Sequence, residues 1–247
     1  GVRRVVFAQA DPNPVAAGGA ARLADAGVTV VGGLLADEAR MINEAWTFAH
    51  RHGRPMVTWK VASTLDGRVA AADGSSRWVT GQSARAEVHA LRAQVDAVLI
   101  GTGTALVDDP SLTVRDAEGR LAERQPLRVV MGRRPVPAHA ALRDGVAALL
   151  VYPDQSPAQV LADLNAHEVA HVLLEGGPTL AAAFLRAGLV DRVVWYVAPK
   201  LLGSGPGSVG DLGITGIDAA LQVRVTSITR VGQDVRLDGT MVGTDPQ

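Results

Sequence analysis

The chain has 247 residues, 47% hydrophobic and 4% aromatic, with 24 Lys and Arg against 25 Asp and Glu for a formal net charge of -1. That length and apolar share support a sizeable Ala/Val/Leu core and argue against wholesale disorder. The even charge gives no reason for nucleic acid or an anionic membrane surface as partner, and zero cysteines remove disulfides, thiol catalysis and cysteine-ligated zinc together.

The six histidines include no H-E-x-x-H, so no metal site is expected. No apolar run has the length of a membrane span and no signal peptide is visible, so a soluble cytoplasmic protein is the expectation.

In chain order, residues 4–9 predict a strand, and Asp11-Pro12-Asn13-Pro14 a turn. A short helix over 19–26, a strand over 28–31 and a longer helix over 36–50 follow, the last with Ala39, Ile42, Trp46 and Ala49 at helical spacing. Polar residues 50–55 mark a boundary, giving segments 1–53 and 54–247. The strand 56–62, MVTWKVA, alternates, with Val57, Trp59 and Val61 on one face and Thr58, Lys60 and Ala62 on the other. Then come a helix over 83–95, strands over 97–100, 127–131 and 147–151, a helix over 157–165, a strand over 172–174, a helix over 179–187 and a strand over 192–198. Strands alternating with helices predict an α/β fold with a mainly parallel central sheet. The ending differs: residues 221–230 and 235–241 read as an antiparallel hairpin added to the edge.

Four stretches carry candidate chemistry. Lys60 lies mid-strand, and the turn-rich STLDGR leaves that strand where ligand groups gather in α/β sheets. In GSSRWVTG and its helix, Arg85, His89 and Arg92 share a face; either this face is merely solvated, or a guanidinium meets a substrate phosphate with Ser76 beside it. VLIGTGTALVDDPSLTVR runs a strand into Gly101-Thr102-Gly103-Thr104, read as a turn facing a pyrophosphate, and adds Asp108 and Arg115. Finally, VLLEGGPTLAAAFLRAGLVD sets Glu175 before a glycine turn and a helix N-terminus, a common anion cradle.

Taken in order, TWKVASTLDGRVA, GSSRWVTG, LRAQVDAVLIGTGT, VDDPSLTVR, LLEGGPTLAAAFLRAGLVD and VAPKLLG resemble the reductase domain of the bifunctional riboflavin-biosynthesis deaminase/reductase family, whose fold is similar to dihydrofolate reductase. The resemblance runs from Arg54 to the end. Residues 1–53 look like the closing part of that family's deaminase domain, a partial α/β cytidine-deaminase-like segment. The deaminase zinc signature is missing, so zinc would belong only to an absent portion and deamination is not expected from this chain. The abrupt first strand suggests a shortened or proteolysed product of a bifunctional parent, or natural loss of the catalytic half.

The resemblance implies that Ser76, Arg92, Leu112, Arg115 and Glu175 contact 5-amino-6-(5-phosphoribosylamino)uracil. It implies that Ala62, Trp78, Thr104, Asp108, Gly176, Gly177, Pro178, Thr179 and Leu180 contact NADPH. Lys60 falls on the family's strand lysine; Lys60, Glu175 and, more weakly, Asp108 are the catalytic candidates. A homodimer is implied as well. Three rival readings stay open: a pterin or folate reductase of the same fold, a non-catalytic nucleotide-binding remnant, and an active deaminase.

Overall fold

The computed structural model describes residues 1–116 and 118–243; the last four residues of the expected reductase segment, 244–247, lie outside them. The N-terminal segment contains β1 (Arg4–Phe7), α1 (Gly19–Asp25), β2 (Thr29–Gly32), α2 (Ala36–Ile42) and α3 (Glu44–His52). β1 and β2 pair in parallel as a separate two-stranded sheet.

The single helix expected over 36–50 is broken at Asn43. Its side chain bonds back to the Ala39 carbonyl at 3.4 Å, and its own carbonyl accepts the first bond of α3 from the Thr47 amide at 2.8 Å. Asparagine offers the backbone such local partners and so ends one helix while starting the next. The predicted apolar face is only partly used: Ala49 is buried, whereas Ile42 is 84% exposed.

From residue 56 onward one eight-stranded sheet organises the chain. Its elements are β3 (Met56–Thr64), α4 (Gln82–Ala93), β4 (Ala97–Gly101), α5 (Thr102–Asp108), β5 (Leu127–Met131), β6 (Leu149–Tyr152), α6 (Pro157–Ala166), β7 (His171–Leu174), α7 (Pro178–Arg186), β8 (Arg192–Ala198), β9 (Val223–Val231) and β10 (Asp234–Met241). Strand order is β6-β5-β4-β7-β3-β8-β10-β9, parallel from β6 to β8, with β10 antiparallel to both neighbours. The expected parallel sheet and edge hairpin are both present.

Strand alternation sorts the core. Val57, Trp59, Val61, Leu99, Val129 and Leu174 pack against α6 and α7 through Val160, Leu161, Leu164, Phe184 and Leu185. The opposite face carries Val98, Ile100, Val130 and Leu173 in one cluster, and Val194 and Tyr196 against Ala84 and Val88 of α4 in another. Lys60 belongs to this α4 face by its register on β3. The stretch from Gly101, expected to begin as a turn, instead passes from the last residue of β4 directly into helix α5, TGTALVD. Its first turn holds the poor helix formers Thr102, Gly103 and Thr104, but Ala105 is buried in one cluster with Ile100 and Val98, and that packing overrides propensity. Among the described residues no helix is long and apolar enough to cross a membrane.

Candidate active site

Because β3 to β8 run in parallel, their carboxyl ends share one edge of the sheet. β4 leads through α5 outward to β5, while β7 leads through α7 back toward β8. The connections after adjacent β4 and β7 therefore part in opposite directions and leave a crevice between them, the place where open α/β sheets bind ligands. A cleft of about 1110 Å³ occupies it.

The starts of two helices form its walls. Gly101 to Thr104 opens α5, and Gly176-Gly177 opens α7 with Pro178 at the first helical position, where its missing N–H costs nothing. A Cβ at Gly176 would lie 2.6 Å from Leu180 Cδ2, so a side chain there would have to push Leu180 aside. A further wall is the segment after β3, zipped to residues 200–208. Asp66 accepts the Gly203 amide at 2.7 Å, and Ser208 donates to the Gly67 carbonyl at 2.8 Å. At Gly205, with φ +100, a Cβ would sit 2.2 Å from the Ala70 carbonyl oxygen, which leaves room for glycine alone.

Lys60 and Glu175 line the cleft, and a third charge, Arg92, meets them from outside its lining. Arg92 Nε donates to Glu175 Oε1 at 2.6 Å and its Nη2 to Oε2 at 3.0 Å, while Lys60 Nζ lies 4.0 Å from Oε2. Side-chain exposure is 18% for Lys60, 14% for Arg92 and 8% for Glu175. Burial pushes the Lys60 ammonium below its usual range; Glu175 pulls it back up and Arg92 pushes it further down. Burial works to raise the Glu175 carboxyl, but the charge and hydrogen bonds of Arg92, with Lys60, hold it below the ordinary carboxylate range. A buried lysine with a depressed pKa and specific charged partners, in a cleft, marks a chemical site.

The sequence candidates divide by position. Lys60, Ala62, Ser76, Thr104, Asp108 and Glu175 through Leu180 line the cleft. Trp78, Arg92, Leu112 and Arg115 are not among its lining residues. Trp78 is 61% exposed, with the Arg85 guanidinium 4.3 Å from its ring centroid and its carbonyl accepting Lys200 Nζ at 2.7 Å. Leu112 is buried in the α4-side core, and Arg115 donates to the Gly119 carbonyl at 2.7 Å. The face shared by Arg85, His89 and Arg92 is real, yet each member has its own partner: the Thr80 carbonyl, the Thr113 carbonyl and Glu175.

Sequence reasoning missed Gly132-Arg133-Arg134 after β5 and Pro153-Asp154-Gln155 after β6, which also line the cleft. The signal was available, since MGRRP sets a glycine and two arginines at the carboxyl end of a strand. Arg133 pairs with Asp154 at 2.8 Å on the surface. Arg134 has no ion pair among the described residues, and its Nη2 lies 3.1 Å from where a Cβ on Gly103 would sit.

Residues 55–237 match the family described as RibD C-terminal domain. The riboflavin biosynthesis protein RibD of Mycobacterium tuberculosis (strain ATCC 25618 / H37Rv) is 48% identical over 238 residues, 96% of this chain and 69% of that protein. Its namesake from Escherichia coli (strain K12) is 37% identical over 273 residues, 96% of this chain and 74% of that one. A solved diaminohydroxyphosphoribosylaminopyrimidine deaminase/5-amino-6-(5-phosphoribosylamino)uracil reductase from Thermotoga maritima matches with a TM-score of 0.87 at 29% identity, over 98% of this chain and 72% of that chain. RibD of Acinetobacter baumannii matches with a TM-score of 0.89 at 32% identity, over 98% and 73%. With the cleft at the carboxyl edge of a matching sheet, the chain belongs to the RibD C-terminal domain family, the reductase domain of riboflavin biosynthesis.

Proposed function

We propose that this cleft reduces 5-amino-6-(5-phosphoribosylamino)uracil to its ribitylamino product with NADPH. Residues 54–247 act as the reductase domain, and 1–53 as a deaminase-like segment. One observation carries the reading: a buried lysine projects from the central strand into a cleft walled by two glycine-capped helix starts. Those helix starts fit a dinucleotide, since Gly177 and Thr104 face each other, with the Thr104 hydroxyl 3.9 Å from a Cβ position on Gly177. Gly176 through Leu180, Thr104, Ala62 and Asp108 would hold the cofactor, and Ser76 and Glu175 the substrate.

When bound, NADPH supplies a hydride to C1′ of the opened ribosylamine. This chain's residues handle the rest. The amine lone pair expels the ring oxygen, giving a protonated imine that keeps its N–H, and that oxygen needs a proton. Lys60 donates it, because a desolvated ammonium is a stronger acid than one in water. Glu175, held rigidly by Arg92, orients the sugar and the ammonium.

Arg134 is the guanidinium in the cleft suited to the cofactor's 2′-phosphate, by bidentate geometry. In a turnover assay with the phosphorylated substrate, NADPH should be oxidised far faster than NADH. Arg134→Ala should raise the KM for NADPH by about 10- to 100-fold and leave NADH little changed. Cofactor binding without turnover would favour a non-catalytic module, and turnover of a dihydropterin instead would favour the folate-type reading.

The hairpin supports a homodimer. Val223, Val225, Ile228 and Val235 share the face of β9 and β10 that carries Met241, and are 42%, 51%, 69% and 38% exposed. β9 is also the last strand in the sheet order of the described residues. An exposed apolar face on an outer hairpin suits a second copy of the chain. Ile228→Asp should shift the sedimenting species from dimer to monomer at micromolar concentration; a wild-type monomer would remove this part of the reading.

A further inference from the structure

Arg92 is 83 residues from Glu175 in sequence and does not line the cleft, yet it takes both carboxylate oxygens. Its remaining Nη1 lies 3.5 Å from the Thr113 carbonyl, so every nitrogen of the guanidinium has a protein partner. Lys60 Nζ stands 4.0 Å from Glu175 Oε2, the oxygen that Arg92 holds at 3.0 Å. That is the outer limit of an ion pair, although both groups are buried and opposite in charge. Undisturbed, a buried carboxylate and ammonium so placed would close to hydrogen-bonding distance, because unpaired burial of either is costly.

We propose that Arg92 is a positioning residue for the reduction: by occupying both oxygens of Glu175 it keeps that carboxylate from closing onto Lys60, and so leaves the ammonium directed at the cleft. The proposal rests on the reading of Lys60 as proton donor. The ionisable groups around Lys60 are Glu175, from the turn after β7, and Arg92 and His89, from α4; Asp108, Asp154, Arg133 and Arg134 line the same cleft. His89 is held by the Thr113 carbonyl at 3.0 Å, and burial, then Arg92, keeps its pKa below the usual value.

The chain contains two lysines, Lys60 and Lys200, so lysine labelled with carbon-13 at Cε yields two resonances, assigned with Lys60→Met. In Arg92→Met the Lys60 titration midpoint should rise by about one pH unit, as an opposite charge at contact distance dictates, while Lys200 stays in place. An unmoved Lys60 midpoint overturns the proposal. In a Glu175→Gln background the same substitution should move Lys60 by less than half as much; an undiminished movement would mean direct repulsion by Arg92 and would also overturn it. Arg92→Lys, which keeps a buried cation and guards against misfolding, should give an intermediate midpoint. The pH profile of kcat separates this from the functional reading. If the Lys60 resonance moves and the basic limb of kcat does not, Arg92 still positions Glu175 but Lys60 is not the donor.

Discussion

Lys60→Met is expected to fold and bind cofactor, yet lose kcat by about 100- to 10,000-fold, the range for removal of a positioned general acid. Methionine retains the length and packing of the lysine stem between β7 and β8. It leaves no new buried charge stranded, since Glu175 keeps both bonds to Arg92. The loss should therefore fall on kcat, with the cofactor Kd little changed and the denaturation midpoint near that of the parent. The pH dependence has a definite sign. Donation needs the protonated amine, so activity falls as pH rises through the Lys60 pKa. Burial lowers that pKa from the ordinary lysine value of 10.5, so the basic limb lies below it. Turnover by Lys60→Met at a rate close to wild type would falsify the assignment.

How much of this was legible in the sequence varies by the range of the interaction. MVTWKVA shows period-2 alternation, and Lys60 does lie on the face opposite Val57, Trp59 and Val61, because strand geometry is local. The strand-glycine-helix turn at Glu175 was equally readable. Its partner was not: Arg92 sits on α4, and only the fold brings the two together. The i, i+4, i+7 spacing predicted a shared face for Arg85, His89 and Arg92, but spacing says nothing about what each long side chain meets. α5 was missed because its first turn is written in glycine and threonine, and the burial of Ala105 decides it. MGRRP was readable and went unread: the rule that points to loops at strand ends applies to β5 as it does to β4 and β7.

The largest stability effect should come from the boundary placed at residues 50–55. Arg54 Nη2 and Nη1 donate to Asp191 Oδ1 and Oδ2 at 2.7 and 2.8 Å, and Oδ2 also accepts the Val57 amide at 2.8 Å. The Asp191 amide donates to the Val57 carbonyl, and its carbonyl accepts the Met241 amide. One aspartate thus ties the starts of β3 and β8 to the end of β10, and Arg54, 4.8 Å from the Phe48 ring centroid, carries the tie into α3. The two partners are unequal, with side-chain exposures of 19% for Arg54 and 6% for Asp191. Arg54→Met strands a buried carboxylate with the Val57 amide as its remaining partner, and should cost about 3–5 kcal/mol in urea denaturation. Asp191→Asn keeps an acceptor for that amide and frees a guanidinium that can reach water, so its cost should be nearer 1–3 kcal/mol. The predicted order, Arg54→Met worse than Asp191→Asn, is the sharper test. The reverse order would mean that the carboxylate's backbone contacts, and the geometry they hold at β3 and β8, stabilise the joint more than the ion pair does.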